Sequence, residues 1–224
     1  RILAEACAAM RKSAGASEAT GGNAASQATR EQEWATKENG NDAPGIVFAS
    51  SVSIFGDTGD AAAPLPDDQP PNPFDWYAES KVAAEGILAQ SGVPHVNLRI
   101  SAIVIPAFLD PPEPWPFQHQ QRIELLCLDD LITAMVNILS ADDDIFNRNL
   151  TLAGGPGWRT IGEDYVARWG DIMDIPVEEM PFRDTPGWLN WYDTTTSQAL
   201  LGYQNTSMED FFRALQAAVD QALA

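Results

Sequence analysis

The run Ile46-Val47-Phe48-Ala49 constrains the fold more than any other stretch of this chain. It is apolar at every position, rich in branched side chains, and bounded upstream by Pro44-Gly45. A strand that alternates can leave one face in water, whereas a strand apolar throughout must be covered on both faces, as in a parallel sheet flanked by helices. The sequence supplies such neighbours in alternation. Strands are expected over 45–51, 95–105 and 149–153, and helices over 75–91, 128–140 and 160–173. That order favours an α/β fold with a parallel sheet. Beyond it, 178–192 reads as irregular and aromatic, and helices near 195–201 and 208–223 finish the chain. No internal repeat is visible.

The first of these strands ends in Ser50-Ser51 and runs into Val52-Ser53-Ile54-Phe55-Gly56. Ligands bind at the carboxyl ends of the strands in open α/β sheets. Ser51 therefore stands where a substrate oxygen could be held. The next helix opens with Tyr77-Ala78-Glu79-Ser80-Lys81. Residues four apart share a helix face, and an ammonium beside a phenol favours its ionised form. A tyrosine so placed is a general acid/base, and a serine that holds the substrate oxygen meets the geometric requirement of proton transfer. Together the three side chains describe carbonyl/alcohol chemistry. A Tyr-x-x-x-Lys match alone is weak, and its value here comes from the strand before it.

In order along the chain, these segments resemble the active-site half of an extended short-chain dehydrogenase/reductase of the NAD-dependent epimerase/dehydratase type. The matching stretches are Phe48 to Gly56, the acidic and proline-rich Pro64 to Pro73, and Tyr77 to Glu85. Val96-Asn97-Leu98-Arg99-Ile100 is similar to the family's next core strand, Leu126 to Leu131 to its strand-to-helix junction, and Asp193 to Tyr203 to its C-terminal segment. The resemblance implies a partial Rossmann-like parallel sheet over 1–155 and a small C-terminal substrate lobe over 156–224, with interleaved elements. It implies Tyr77 as acid/base, Lys81 as the residue that holds the nicotinamide ribose and favours the phenolate, and Ser51 as the orienter of substrate. Ser50 is a supporting cofactor-side candidate and Ser53 a substrate-side one. The cofactor would be NAD or NADP. Against this stands the plain reading, in which the serines finish a strand and Tyr77 packs a helix.

The family's glycine-rich turn, where a helix N-terminus meets the pyrophosphate, does not precede Tyr77. The chain opens with Arg1-Ile2-Leu3-Ala4-Glu5-Ala6-Cys7-Ala8-Ala9-Met10, an apolar-periodic helix similar to the one before the family's serine strand. By the resemblance, the sequence begins partway into the fold, and the chain alone is expected to bind NAD(H) or NADP(H) poorly. An unpaired edge on the serine strand would invite aggregation or pairing with another chain, which leaves a homodimer open. Gly154-Gly155-Pro156-Gly157 follows a strand, yet Thr160 falls where a dinucleotide turn needs its third glycine. Those glycines are read as a plain loop, and Thr160 with Glu163 as a capping box for the following helix.

Composition narrows the function further. A net charge of -19, with 32 acidic residues against 13 basic, speaks against nucleic acid, whose phosphates require clustered Lys and Arg. No apolar run reaches the ~18 residues that span a bilayer, so no membrane partner is expected. Cys7 and Cys127 lack metal or redox spacing and read as small buried hydrophobes, in keeping with a reducing cytoplasm. His95 and His119, the only histidines, have no ligand partner at helical spacing, and no metal site is expected. The Ala-, Ser-, Gly- and Asn-rich segment 12–44 reads as a disordered insertion in which Trp34 alone could anchor, with partner binding as a minor alternative.

Trp188, Trp191 and Tyr192, with Trp115 in the proline-rich run Pro106 to Pro116, could wall a substrate pocket. Core packing explains them equally well. Two departures bear on the substrate. Ala102 stands where sugar-nucleotide members of the family usually carry asparagine, and Arg122 lies one position from the family's phosphate-binding arginine. Only about thirty residues separate Arg99 from Asp130, short beside ordered substrate lobes. A small carbonyl or sugar-like substrate is thus at least as well supported as a nucleotide sugar. Outside enzymes, the alternative is an inactive remnant that serves as an interaction module.

Overall fold

A computed structural model describes residues 45–59 and 61–224. The expected opening helix with Cys7, and the expected insertion over 12–44 with Trp34, lie outside the described residues. In chain order the elements are β1 (Ile46–Ser51), α1 (Trp76–Ser91), β2 (His95–Ile100), β3 (Ile103–Val104), β4 (Arg122–Glu124), β5 (Leu126–Cys127) and α2 (Leu128–Ile138). Then follow β6 (Arg148–Leu152), β7 (Arg159–Ile161), α3 (Gly162–Met173), α4 (Thr195–Leu201) and α5 (Met208–Leu223).

The central sheet runs β1-β2-β6 and is parallel throughout, as expected, but the full burial expected of the apolar run is corrected: β1 is the edge strand among the described residues, with Ile46, Val47 and Phe48 half-buried and Ala49 exposed. The helix that carries the site and the last helix are fixed by local chemistry. The Asp75 carboxylate caps α1 by accepting from the Ala78 amide at 2.7 Å, and Gly92 ends it in the left-handed region at φ 69. Ser207 caps α5 by accepting from the Asp210 amide. In β2, Val96 and Leu98 are fully buried on one face, while His95, Asn97 and Arg99 are buried on the other. Polar groups there need partners: the His95 ring meets the Val93 carbonyl, Arg99 pairs with Glu85, and Asn97 donates to Asn149, while the Asn97 Oδ1 has no partner among the described residues.

A second core lies outside the sheet. Trp115, Phe117, Trp158, Tyr165, Trp169, Phe211 and Phe212 pack together with mostly edge-on and tilted ring contacts. It draws on residues before and after position 155, and β4 pairs antiparallel with β7 across that position.

Two expected elements are corrected. The strand expected over 95–105 ends at Ile100, because the Ser101 amide turns to the Leu152 carbonyl and the Ala102 carbonyl accepts from Leu126, handing Ile103–Val104 to β5. The Thr160–Glu163 capping box does not form. Pairing with β4 holds Thr160 extended in β7, Ile161 occupies the cap position without a side-chain bond, and the Glu163 amide donates to the His119 carbonyl. Among the described residues no helix is long and apolar enough to cross a membrane, and no group of His, Cys, Asp and Glu could hold a metal ion.

Candidate active site

β1 delivers its serines to the carboxyl end of the sheet with alternating orientation, as strand geometry requires. Ser50 is buried and donates from its hydroxyl to Glu85 at 2.6 Å. Ser51 is half-buried, and its hydroxyl accepts from the Ser53 amide at 3.1 Å, capping the short 3₁₀ segment Val52–Phe55. The Ser53 hydroxyl is buried and has no hydrogen-bond partner among the described residues.

Tyr77 and Lys81 stand on the first turns of α1. Tyr77 is 43% exposed, and its hydroxyl bonds to no described residue. The Lys81 ammonium lies 5.5 Å from the centre of that ring and 5.1 Å from the centre of the Phe48 ring. It donates to the Ala49 carbonyl at 2.7 Å, which ties the helix to the strand that carries Ser51. Two of its three donors are then left for a ligand.

Behind this surface lies an ion pair that the sequence reading did not single out. Arg99 of β2 donates through Nε at 3.2 Å and a terminal nitrogen at 2.9 Å to the two oxygens of Glu85 on α1. Its other terminal nitrogen donates to the Asp67 carbonyl at 2.7 Å, and Ser50 shares Glu85. The guanidinium also lies over the Phe55 ring. One signal could have found it: a cation inside Val96-Asn97-Leu98-Arg99-Ile100, since buried charges must be paired. Glu124 is likewise fully buried, accepting from the Gly155 and Tyr192 amides and from Arg159. Burial holds its carboxyl above its ordinary value, against the pull of those donors.

The four substrate-side candidates do not gather at one place. Arg122 donates to the Ala61 and Gly59 carbonyls and lies over the Trp191 ring at 5.9 Å. It lines a polar cavity of about 440 Å³ with Thr58, Gln118, Gln121 and Asn190. Ala102 and Trp115 line a separate cavity. Of the aromatics that read equally as a pocket wall or as core, Trp115 lines that cavity, and Trp188, Trp191 and Tyr192 line neither of these two cavities. Tyr192 is fully buried and donates to the Trp188 carbonyl, while Trp188 packs between two cores.

Gly154-Gly155-Pro156-Gly157 behaves as the plain loop that was expected. The Gly154 amide donates to the Leu125 carbonyl and the Gly155 amide to Glu124, so these donors are spent inside the protein. Cys127 is free and buried, and burial pushes its thiol up. His119 stacks on Phe182.

Neither a protein-family model nor a curated protein sequence matches the chain. Solved structures do. UDP-glucuronic acid 4-epimerase from Bacillus cereus, solved with NAD, superposes with a TM-score of 0.63 at 18% identity over 80% of this chain and 62% of its own. RMD from Pseudomonas aeruginosa, complexed with NADPH, gives 0.63 at 14% identity over 83% and 69%. UDP-glucose 4-epimerase from Thermotoga maritima, solved with UDP-glucose, gives 0.62 at 16% identity over 80% and 64%. The chain thus spans about three fifths of the length of the Bacillus cereus epimerase. At these identities the likeness establishes architecture: the chain has the Rossmann-like fold of the extended short-chain dehydrogenases/reductases, as the resemblance implied.

Proposed function

We propose that the chain carries the proton-transfer site of an NAD(P)-dependent oxidoreductase of the epimerase/dehydratase type, acting on a hydroxyl or carbonyl of a small or sugar-like substrate. The observation that carries this reading is the placement of Lys81, whose ammonium meets both the Tyr77 ring and the strand that ends in Ser51. The residues present suit a nicotinamide ribose: an exposed phenol and an ammonium with two donors to spare. NAD or NADP, when bound, supplies the hydride chemistry.

Ser51 orients the substrate oxygen. Tyr77 takes the proton from that oxygen when its carbon is oxidised and returns it when the carbonyl is reduced. Lys81 holds the ribose and stabilises the phenolate while the proton is away. Glu85, held by Arg99 of β2 and by the Ser50 hydroxyl of β1, fixes α1 against the sheet and so sets the approach of Tyr77 to Ser51. The polar cavity beside Arg122 would receive hydroxyl-bearing parts of the substrate. Nucleotide sugars form a second reading, supported by the UDP-glucose in the Thermotoga maritima structure. A panel of alcohols and carbonyls, assayed by nicotinamide absorbance at NAD and NADP concentrations high enough to offset the weak cofactor binding expected of this chain, tests the proposal. Tyr77→Phe is expected to lower kcat by ~10²–10⁴-fold, and unchanged turnover in that variant would sink it.

A further inference from the structure

The segment after β2 forms the mouth of the second cavity. Ala102 on its wall lies just beyond Ile100, the register partner of Ser51. The cavity therefore opens at the same carboxyl end of the sheet as the proposed acid/base. Trp115, Phe117, Leu125, Tyr165 and Trp169 make up much of its interior. Its volume is about 210 Å³, room for about seven waters at their ~30 Å³ share of the liquid.

The lining is chemically one-sided. Among the described residues no lysine, arginine or histidine lines it, and its one carboxylate belongs to Asp110. Tyr165 adds no charge, because burial pushes its phenol well above the ordinary value, and its hydroxyl bonds to no described residue. The Trp115 indole N–H is buried without an acceptor among the described residues. Ile103, Ile105 and Leu109 give the rim a half-exposed apolar lip.

A diphosphate is held by cationic donors and would meet aromatic rings and a carboxylate instead. An uncharged ring would gain from leaving water and from contact with the aromatic wall. Small-molecule sites are commonly apolar with a few placed polar groups, which here are the Tyr165 hydroxyl and Asp110.

We infer that this cavity binds an uncharged apolar group of one or two fused rings bearing a hydrogen-bonding oxygen, and that the compound handled at Tyr77 carries such a group in place of a nucleoside diphosphate. The second half rests on the functional reading above, and the first does not. The test is titration of the full chain into naphthalen-2-ol, followed by the probe's fluorescence, with uridine diphosphate as competitor. Saturable binding is expected, undisturbed by excess uridine diphosphate. Ala107→Trp, which fills the cavity, and Ile105→Glu, which charges its exposed rim, should each weaken binding at least tenfold.

Absence of saturable binding, displacement by uridine diphosphate, or unchanged affinity in Ile105→Glu or in a folded Ala107→Trp would overturn the inference. Since Ile105 is 42% exposed, its variant keeps the test intact even if Ala107→Trp fails to fold. Retained turnover in Tyr77→Phe, with naphthalen-2-ol binding as described, would remove the functional reading and leave the pocket assignment standing.

Discussion

Glu85→Gln should be among the most damaging single substitutions in the sheet region. Glu85 accepts three hydrogen bonds, two of them from Arg99, and the two side chains are 10% and 4% exposed. Removing one charge of a buried pair strands the other and costs about 3–5 kcal/mol. At about 2–4 °C per kcal/mol for a chain of this size, Tm should fall by about 6–20 °C. Removing all three partners behaves differently. In the triple variant Ser50→Ala, Glu85→Leu, Arg99→Met, both charges and the hydroxyl are gone, and only the Asp67 carbonyl loses a donor, for about 1–3 kcal/mol. The triple variant should therefore be more stable than Glu85→Gln alone. Urea unfolding with constant m is the assay. A loss below about 1 kcal/mol in Glu85→Gln, or a triple variant less stable than the single one, would refute the reasoning.

Three further outcomes are expected. Burial raises the phenols of Tyr165, Tyr192 and Tyr203 above the unfolded value near ~10; the native state then keeps protons that the unfolded state releases, so stability present below ~pH 10 is lost as pH rises beyond it. Tyr165→Phe, which sacrifices no hydrogen bond to a described residue, should leave neutral-pH stability nearly unchanged and flatten that alkaline slope by about 1.4 kcal/mol per pH unit; identical slopes in urea melts across this range would contradict it. Gly154→Ala places a Cβ 2.3 Å from the Trp158 ring and 2.6 Å from the Leu125 carbonyl, and should cost about 1–3 kcal/mol in the same assay. Ser51→Ala loses the cap on the 3₁₀ turn, about 0.5–2 kcal/mol, yet should depress turnover far more than stability; proportionate losses would reduce Ser51 to a structural residue.

What was legible in the sequence was local. The apolar run of β1, the Asp75 and Gly92 bounds of α1 and the four-residue spacing of Tyr77 and Lys81 are each written within a few neighbouring positions. Long-range pairing was not. The break after Ile100 depends on Leu152 and Leu126 drawing Ser101 and Ala102 aside, and Thr160 joins β7 because Ile123 lies opposite it. The capping-box pattern around Thr160 was a sound local preference overridden by that pairing. Trp115, Trp191 and Tyr192 were recognised as large aromatics, but only long-range packing decides their places: Trp115 lines a cavity, Trp191 lies against Arg122, and Tyr192 is buried beside Val52 and Phe55. Arg99 and Glu85 were each noted inside motifs, while their partnership spans a helix and a strand.

The assignment of Lys81 to a nicotinamide ribose is the step on which the functional reading rests, and it is open to direct measurement. The chain is titrated with NAD and NADP while saturation transfer to the nicotinamide ribose protons is followed by proton NMR, in the unaltered protein and in Lys81→Met. Loss of hydrogen bonds from a charged donor, worth about 1.5–3 kcal/mol, should weaken the affinity at least tenfold and should fade the ribose signals first. Equal affinity and equal ribose contacts in Lys81→Met would contradict the assignment.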